Sequence, residues 1–186
     1  MFKKMKEFGK IFGKTCIRIL EFLAEAPSKS FYEKEIAKAC RISAGAVNNH
    51  MRLLKSLDLV VHEKKGRASF YRINMDNFVA REVKTMFTAI MLHSLVEKLS
   101  PLSKKIILFG SCSEGTDTEE SDIDLFVLSS DRENILRLIV EFEAEIGRKI
   151  SPIIVDSKGL ILVRERQIYK SVQRGRLLWN EKEHGV

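Results

Sequence analysis

An acidic pair set inside an apolar run constrains this chain more than any other feature. In "KKIILFGSCSEGTDTEESDIDLFVLS", residues 104–129, Asp122 and Asp124 stand two positions apart in an otherwise strand-like segment. Side chains alternate along a strand, so the two carboxylates project from one face while Ile123 and Leu125 take the other. Carboxylates that close repel, and a half-buried strand disfavours both, so they require a divalent cation or basic partners nearby. Lys104, Lys105 and the arginines are the basic alternatives, in an arrangement where the pair caps a strand. Mg²⁺ is the cation that suits hard oxygen donors, since it keeps several waters and is held by one or two carboxylates together with nucleotide phosphates. The preceding strand "KKIILF" ends at Gly110, which lets a backbone approach a phosphate closely, and at Ser111, which adds a hydroxyl and an amide. "GSCSEGTDTEE" reads as a Gly, Ser and acid-rich connection between the two strands.

Composition narrows the classes that this segment can belong to. A chain of 186 residues, 45% apolar and 31% charged, has the balance of a soluble globular protein of one ordinary domain or two small ones. Nothing approaches the roughly 18 consecutive apolar residues of a membrane span. The start "MFKKMKEFGKIF" lacks an apolar signal core with a small-residue cleavage site, so a cytoplasmic location and no membrane partner are expected. Cys16, Cys40 and Cys112 are odd in number and widely spaced, which predicts reduced, buried thiols rather than a disulfide framework or a zinc cluster.

Charge is divided between the halves. Residues 1–100 hold 19 Lys and Arg against 10 Asp and Glu, whereas residues 101–186 hold 13 against 15. Excess positive charge in one half is what a polyanion-binding module needs, because neutralised phosphates release counterions. The sequence of that half supplies a matching pattern. "KTCIRILEFLAE" (14–25) places Ile17, Leu20, and Leu23 or Ala24 on one stripe of an amphipathic helix. A second helix is expected over about Phe31 to Ala39, and "CRIS" then turns the chain. Ser43 is placed to cap a third helix, "AGAVNNHMRLLKSL", with Ala46 or Val47, His50 or Met51, Leu53 or Leu54, and Leu57 facing inward. "LVVHEKKGRASFYRI" reads as two strands joined at "KKGR", with Gly66 in the permissive position.

Helix, helix, turn, helix and hairpin, in that order, resemble the winged helix-turn-helix of transcription regulators, over about residues 11–74. The resemblance implies double-stranded DNA as partner. Asn48, Asn49, Arg52 and Lys55 lie on the exposed side of the third helix, where amides and a guanidinium can read base edges. Lys64, Lys65 and Arg67 stand at the hairpin tip, within reach of phosphates or the minor groove. Residues 75–99 form one long helix with Val79, Val83, Met86, Phe87, Ile90, Met91 and Leu95 on a broad apolar face. That face requires a cover, and palindromic operators favour a homodimer. "SPLS" ends the helix.

The second half carries its own resemblance. Phe109, Gly110, Ser111, ten intervening residues, then Asp122-Ile123-Asp124-Leu125 look like the signature of the DNA polymerase beta nucleotidyltransferase superfamily, in its minimal branch. The similarity spans about residues 103–180 and includes a helix near Arg132 to Ile146, the strand "KISPIIV" and the closing segment "IYKSVQRGRLLWN". The resemblance implies that Gly110 and Ser111 position the triphosphate of an NTP, with ATP the expected nucleotide. Asp122 and Asp124 are then the catalytic and metal-binding carboxylates, acting with Mg²⁺. Active relatives usually carry a third carboxylate on the later strand; the matching position here is Ser151, followed by Pro152, and Asp156 comes five residues later. Glu114 stands where many minimal members have arginine.

The expected fold class is therefore α+β. It comprises a winged helix-turn-helix domain (1–74), a connecting helix (75–102) and an α/β nucleotidyltransferase-like domain with a mixed sheet (103–186). Beside an interaction module with no nucleotide chemistry, two functions follow from it. One is a DNA-binding protein that transfers a nucleoside monophosphate from NTP to an acceptor. The other is a transcription regulator or antitoxin-like protein whose transferase domain senses nucleotide or binds protein, the resemblance permitting a HEPN-type toxin as partner.

Overall fold

In the computed structural model, which describes residues 8–165 and 167–181 apart from the side chains of 163 and 164, the chain forms two compact units, Met1–Lys84 and Thr85–Val186. The first contains helix α1 (Lys14–Glu25), strand β1 (Phe31–Tyr32), helices α2 (Glu33–Ala39) and α3 (Ala44–Ser56), and strands β2 (Val60–Lys65) and β3 (Ala68–Ile73). The strands make an antiparallel sheet in the order β1-β3-β2, and helix–turn–helix followed by a hairpin is the winged-helix topology. Val47, Met51 and Leu54, at helical spacing on α3, are buried, as are Ile19, Leu20 and Leu23 of α1 and Ile36 of α2, each at most 1% exposed. On α1 the buried residues are Cys16, Ile19, Leu20, Leu23 and Ala24, whereas Ile17, expected in the stripe, is only half-buried. Cys16, Cys40 and Cys112 are all buried, as the sequence predicts.

Local signals set the helix ends. The Ser43 hydroxyl accepts the Ala46 amide at 3.2 Å and starts α3, while Glu35 accepts the Tyr32 amide at 2.7 Å at the start of α2. Both helices finish on a left-handed residue, Arg41 (φ 50°) and Asp58 (φ 58°). Beyond them Ile42 N–H reaches Ala37 O at 3.0 Å, and Leu59 N–H reaches Leu54 O at 2.9 Å, which satisfies terminal carbonyls. In the hairpin Val60 pairs with Ile73 and Lys65 with Ala68, and Gly66 at φ +63° makes the turn.

Helix α4 (Phe78–Leu99) begins where Asn77 Oδ1 accepts the Val79 amide at 2.8 Å, and its residues from Thr85 onward belong to the second unit. Its buried apolar positions there are Leu92, Leu95 and Leu99, beside the buried Thr85 and Thr88, while Ile90, expected on the apolar face, is 63% exposed. Strand β4 (Lys105–Phe109), helix α5 (Gly110–Glu114), β5 (Ile123–Leu128), α6 (Arg132–Ile146), β6 (Ile150–Val155), α7 (Gly159–Arg164), α8 (Gln167–Arg174) and β7 (Arg176–Asn180) follow. The sheet order is β6-β5-β4-β7, with β5 and β6 parallel and the other pairs antiparallel. One face packs Ile106, Leu108, Leu125 and Val127 against Leu92, Leu95 and Leu99 and against Ile135, Ile139 and Phe142 of α6. The other packs Ile107, Phe109 and Phe126 against Val172 of α8. Covering both faces explains why β4 after Lys105 and β5 read as apolar runs, broken only at Asp124.

Candidate functional site

The site grows from the junction of β4 and β5. Gly110 takes φ +67°, a conformation that other residues adopt only under strain, and it opens a short helix where the sequence suggested an irregular connection. A Cβ at this position would collide with the Asp124 carboxylate unless that side chain turned away, so glycine is what allows the carboxylate to sit here. Asp124 lies on β5 opposite Phe109, and Asp122 lies one residue before the strand begins. By strand alternation both belong to the face that carries Phe126.

Asp122 has polar partners in Ser151, at the expected third-carboxylate position, and Lys149, which the sequence did not single out. Its Oδ2 accepts the Ser151 hydroxyl at 2.8 Å and faces Lys149 Nζ at 3.3 Å. The basic neighbour is therefore Lys149; Lys104 and Lys105, the expected alternatives, line a different cleft with Leu128, Tyr169 and Asn180. The Ser151 hydrogen bond, with help from Lys149 and Arg148, holds the Asp122 carboxyl below the usual range. Burial, and then repulsion from Asp122, pushes the Asp124 carboxyl up. Asp124, Lys149, Ser151, Phe109, Pro152 and Ile168 line a cleft of about 350 Å³.

Ser151 sits directly opposite Asp124 in the parallel β5–β6 register, at the place of the expected third carboxylate. Asp156 follows the end of β6 and accepts the Gly159 amide at 2.6 Å, which fixes the start of α7. At about 3.3 Å per residue it stands roughly 16 Å along the strand from Ser151. Among the described residues no group of three or more His, Cys, Asp or Glu side chains is arranged to hold a metal. Two adjacent carboxylates, one pushed up by burial and then by the charge of the other, do fit a single Mg²⁺ that completes its shell with phosphate oxygens and water. Glu114 is exposed at the end of α5.

Behind the pair lies an ion pair that sequence reasoning missed. Asp117, fully buried, meets Arg148 at 2.6 Å, and the same guanidinium donates to Ser121 O at 3.1 Å, Thr118 O at 3.4 Å and Cys112 Sγ at 3.3 Å. Cys112 Sγ in turn donates to Asp122 O at 3.4 Å. Nothing in an acid-rich connection marks Asp117 as buried rather than solvated, and Arg148 lies 31 residues away in the chain.

In the first unit, all seven residues expected to meet DNA are exposed: Asn48, Asn49, Arg52 and Lys55 on α3, and Lys64, Lys65 and Arg67 at the hairpin tip. Several already have partners. Asn48 donates to Glu33 at 2.6 Å, Arg52 donates to Asn49 at 2.6 Å, and Lys65 faces Glu63 at 3.8 Å. Glu33 is the addition that the sequence did not suggest, since it lies 15 residues before Asn48 at the start of α2.

Residues 91–177 match the family model described as nucleotidyltransferase domain, which starts within α4 and ends within β7. A Methanocaldococcus jannaschii protein, named as a candidate protein adenylyltransferase, MJ1305, is 43% identical over 65 residues, covering 31% of this chain. The chain spans 44% of that relative's length. Among solved structures, the homodimeric winged helix-turn-helix DNA-binding domain of Mb0332 from Mycobacterium bovis is 24% identical, covering 52% of this chain and 85% of its own, with a TM-score of 0.42. A toxin–antitoxin crystal structure with AMP-PNP is 25% identical over 51% of this chain and 75% of its own, with a TM-score of 0.36. The winged-helix assignment rests on this chain's own element order and sheet.

Proposed function

We propose that this chain, a winged helix-turn-helix module joined to a nucleotidyltransferase domain, binds an NTP at Gly110, Ser111, Asp122 and Asp124 and transfers its nucleoside monophosphate to an acceptor hydroxyl, while the first unit holds double-stranded DNA. The observation that carries this reading is the seating of the Asp124 carboxylate against Gly110, at the edge of a cleft shared with Lys149. It puts a glycine without a side chain, a serine hydroxyl and two carboxylates at one strand-to-helix turn. Gly110 and Ser111 offer amides and a hydroxyl to phosphate oxygens, and Asp122 with Asp124 would hold Mg²⁺. That ion would supply charge neutralisation at the phosphates during in-line displacement, with pyrophosphate leaving. Lys149, exposed beside Asp122, can extend its ammonium to the phosphates. ATP is the expected nucleotide, and the likeness to the M. jannaschii relative supports adenylyl transfer.

Incubation of the full chain with Mg²⁺ and α-labelled ATP tests this reading. A labelled product that vanishes in the Asp122→Ala, Asp124→Ala double variant is expected, and equal labelling by that variant ends it. A second reading is favoured by Ser151, whose hydroxyl occupies the third-carboxylate position and leaves no further anion there to accept the acceptor's proton. On that reading the domain is a nucleotide sensor of a regulator or antitoxin-like protein, with a HEPN-type toxin among the partners that it accommodates. ATP then raises the melting temperature and alters DNA affinity without turnover.

For the first unit, the wing and α3 are proposed to grip duplex DNA, with a homodimer reading a palindromic operator. Charge reversal of Lys64, Lys65 and Arg67 is expected to flatten the dependence of affinity on salt, by about one unit of slope for each phosphate that the wing ceases to neutralise. An unchanged slope removes the wing from the DNA interface.

A further inference from the structure

We infer that the buried Asp117–Arg148 pair is a positioning clamp for Asp122, setting the affinity of the acidic pair for a divalent cation; the inference rests on the nucleotide reading above. Asp117 is fully buried, and its 2.6 Å contact orients a guanidinium that is only 22% exposed. From that fixed position Arg148 donates to Ser121 O, the carbonyl immediately before Asp122, and to Thr118 O and Cys112 Sγ. Cys112 then donates to the backbone oxygen of Asp122 itself. The residues that follow Arg148 continue the grip. Lys149 O accepts the Ile123 amide at 2.9 Å, Lys149 Nζ faces the Asp122 carboxylate, and Ser151 donates to the same oxygen.

Segment 148–151 thus holds the loop leading to Asp122 at its backbone on both sides of that residue and at its carboxylate. A guanidinium is suited to this task because its rigid fork serves several acceptors at once, whereas an ammonium is a single point charge on a flexible stem. Asp122 lies before the first residue of β5 and so lacks full strand pairing on its own. Its direction is therefore set by the clamp. The two groups act through the loop that carries Asp122, so they are positioning residues.

The test compares the full-length wild type with Arg148→Lys, Asp117→Asn, the paired apolar replacement Asp117→Ala with Arg148→Met, and Asp122→Ala. The paired replacement guards against a fold lost to one uncompensated buried charge. Three quantities are measured: melting temperature without ligand, amide hydrogen exchange, and Mn²⁺ affinity by calorimetry with a nonhydrolysable ATP analogue. Clamp variants that melt cooperatively are expected to exchange at least tenfold faster at residues 118–123 while β4 stays protected, and to bind Mn²⁺ at least tenfold more weakly. Unchanged exchange at 118–123 in all clamp variants overturns the clamp. Faster exchange with Mn²⁺ affinity equal to wild type overturns the link to the acidic pair. A wild type that binds Mn²⁺ no better than Asp122→Ala overturns the proposed function and, with it, the affinity part of this inference.

Discussion

Gly110 and Asp124 are mutually dependent. The glycine is the one residue type that tolerates φ +67° at no cost and leaves room for the carboxylate beside it. Gly110→Ala combines a backbone penalty of about 1–2 kcal/mol with displacement of Asp124. The expected result is a melting temperature lower by several degrees together with loss of ATP binding, read by thermal denaturation and calorimetry. Asp122 and Asp124 also respond to pH in opposite senses. Asp122 is held low in the fold, so the stability it contributes is present above its unfolded pKa and is lost as pH falls through the lower folded value. Asp124 is pushed up, so the fold retains its proton more tightly, and ionising it removes stability as pH rises through the interval between unfolded and folded values. Ser151→Ala removes the main influence that lowers Asp122. It is expected to destabilise at neutral pH, with the difference from wild type shrinking as acid protonates Asp122 in both proteins. A difference independent of pH in chemical unfolding contradicts that assignment.

Among the elements, the helix ends show most clearly what the sequence discloses. Ser43 before "AGAV" and Gly66 within "KKGR" were legible because capping oxygens and left-handed turns have strong residue preferences. Arg41 and Asp58 were not, because each occupies a left-handed position that usually belongs to glycine and is held there by the bonds closing α2 and α3. Arg41→Gly is expected to stabilise the first unit by about 0.5–1 kcal/mol, the relief of strain exceeding the extra entropy of the unfolded glycine. Thermal or urea unfolding measures the gain. The buried side of α4 was only partly legible. Its apolar residues run around much of the helix, so periodicity alone did not distinguish Leu92, Leu95 and Leu99, which are buried, from Ile90, which is not. The acidic pair was legible because two aspartates on one strand face conflict with an apolar core. Ser151 was legible as the third-carboxylate position, but Lys149 and Arg148 were not, since parallel β5–β6 pairing brings them in across a helical crossover, and nothing in the acid-rich connection marks Asp117 as buried.

Across the whole molecule, the two units differ in charge as well as in fold. The half of the chain that contains the winged helix carries the excess of Lys and Arg, and the half with the acidic pair is slightly negative. That division suits the roles proposed for them, one unit holding a polyanion and the other requiring a cation before it accepts phosphates. The central claim is that Asp122 and Asp124, set against Gly110, make the nucleotide site. Equilibrium binding of labelled ATP to the full chain tests it most directly, with and without Mg²⁺, in wild type and in the Asp122→Ala, Asp124→Ala variant. Saturable binding that requires Mg²⁺ and weakens at least a hundredfold in the double variant is the predicted result; equal affinity in the two proteins would contradict it.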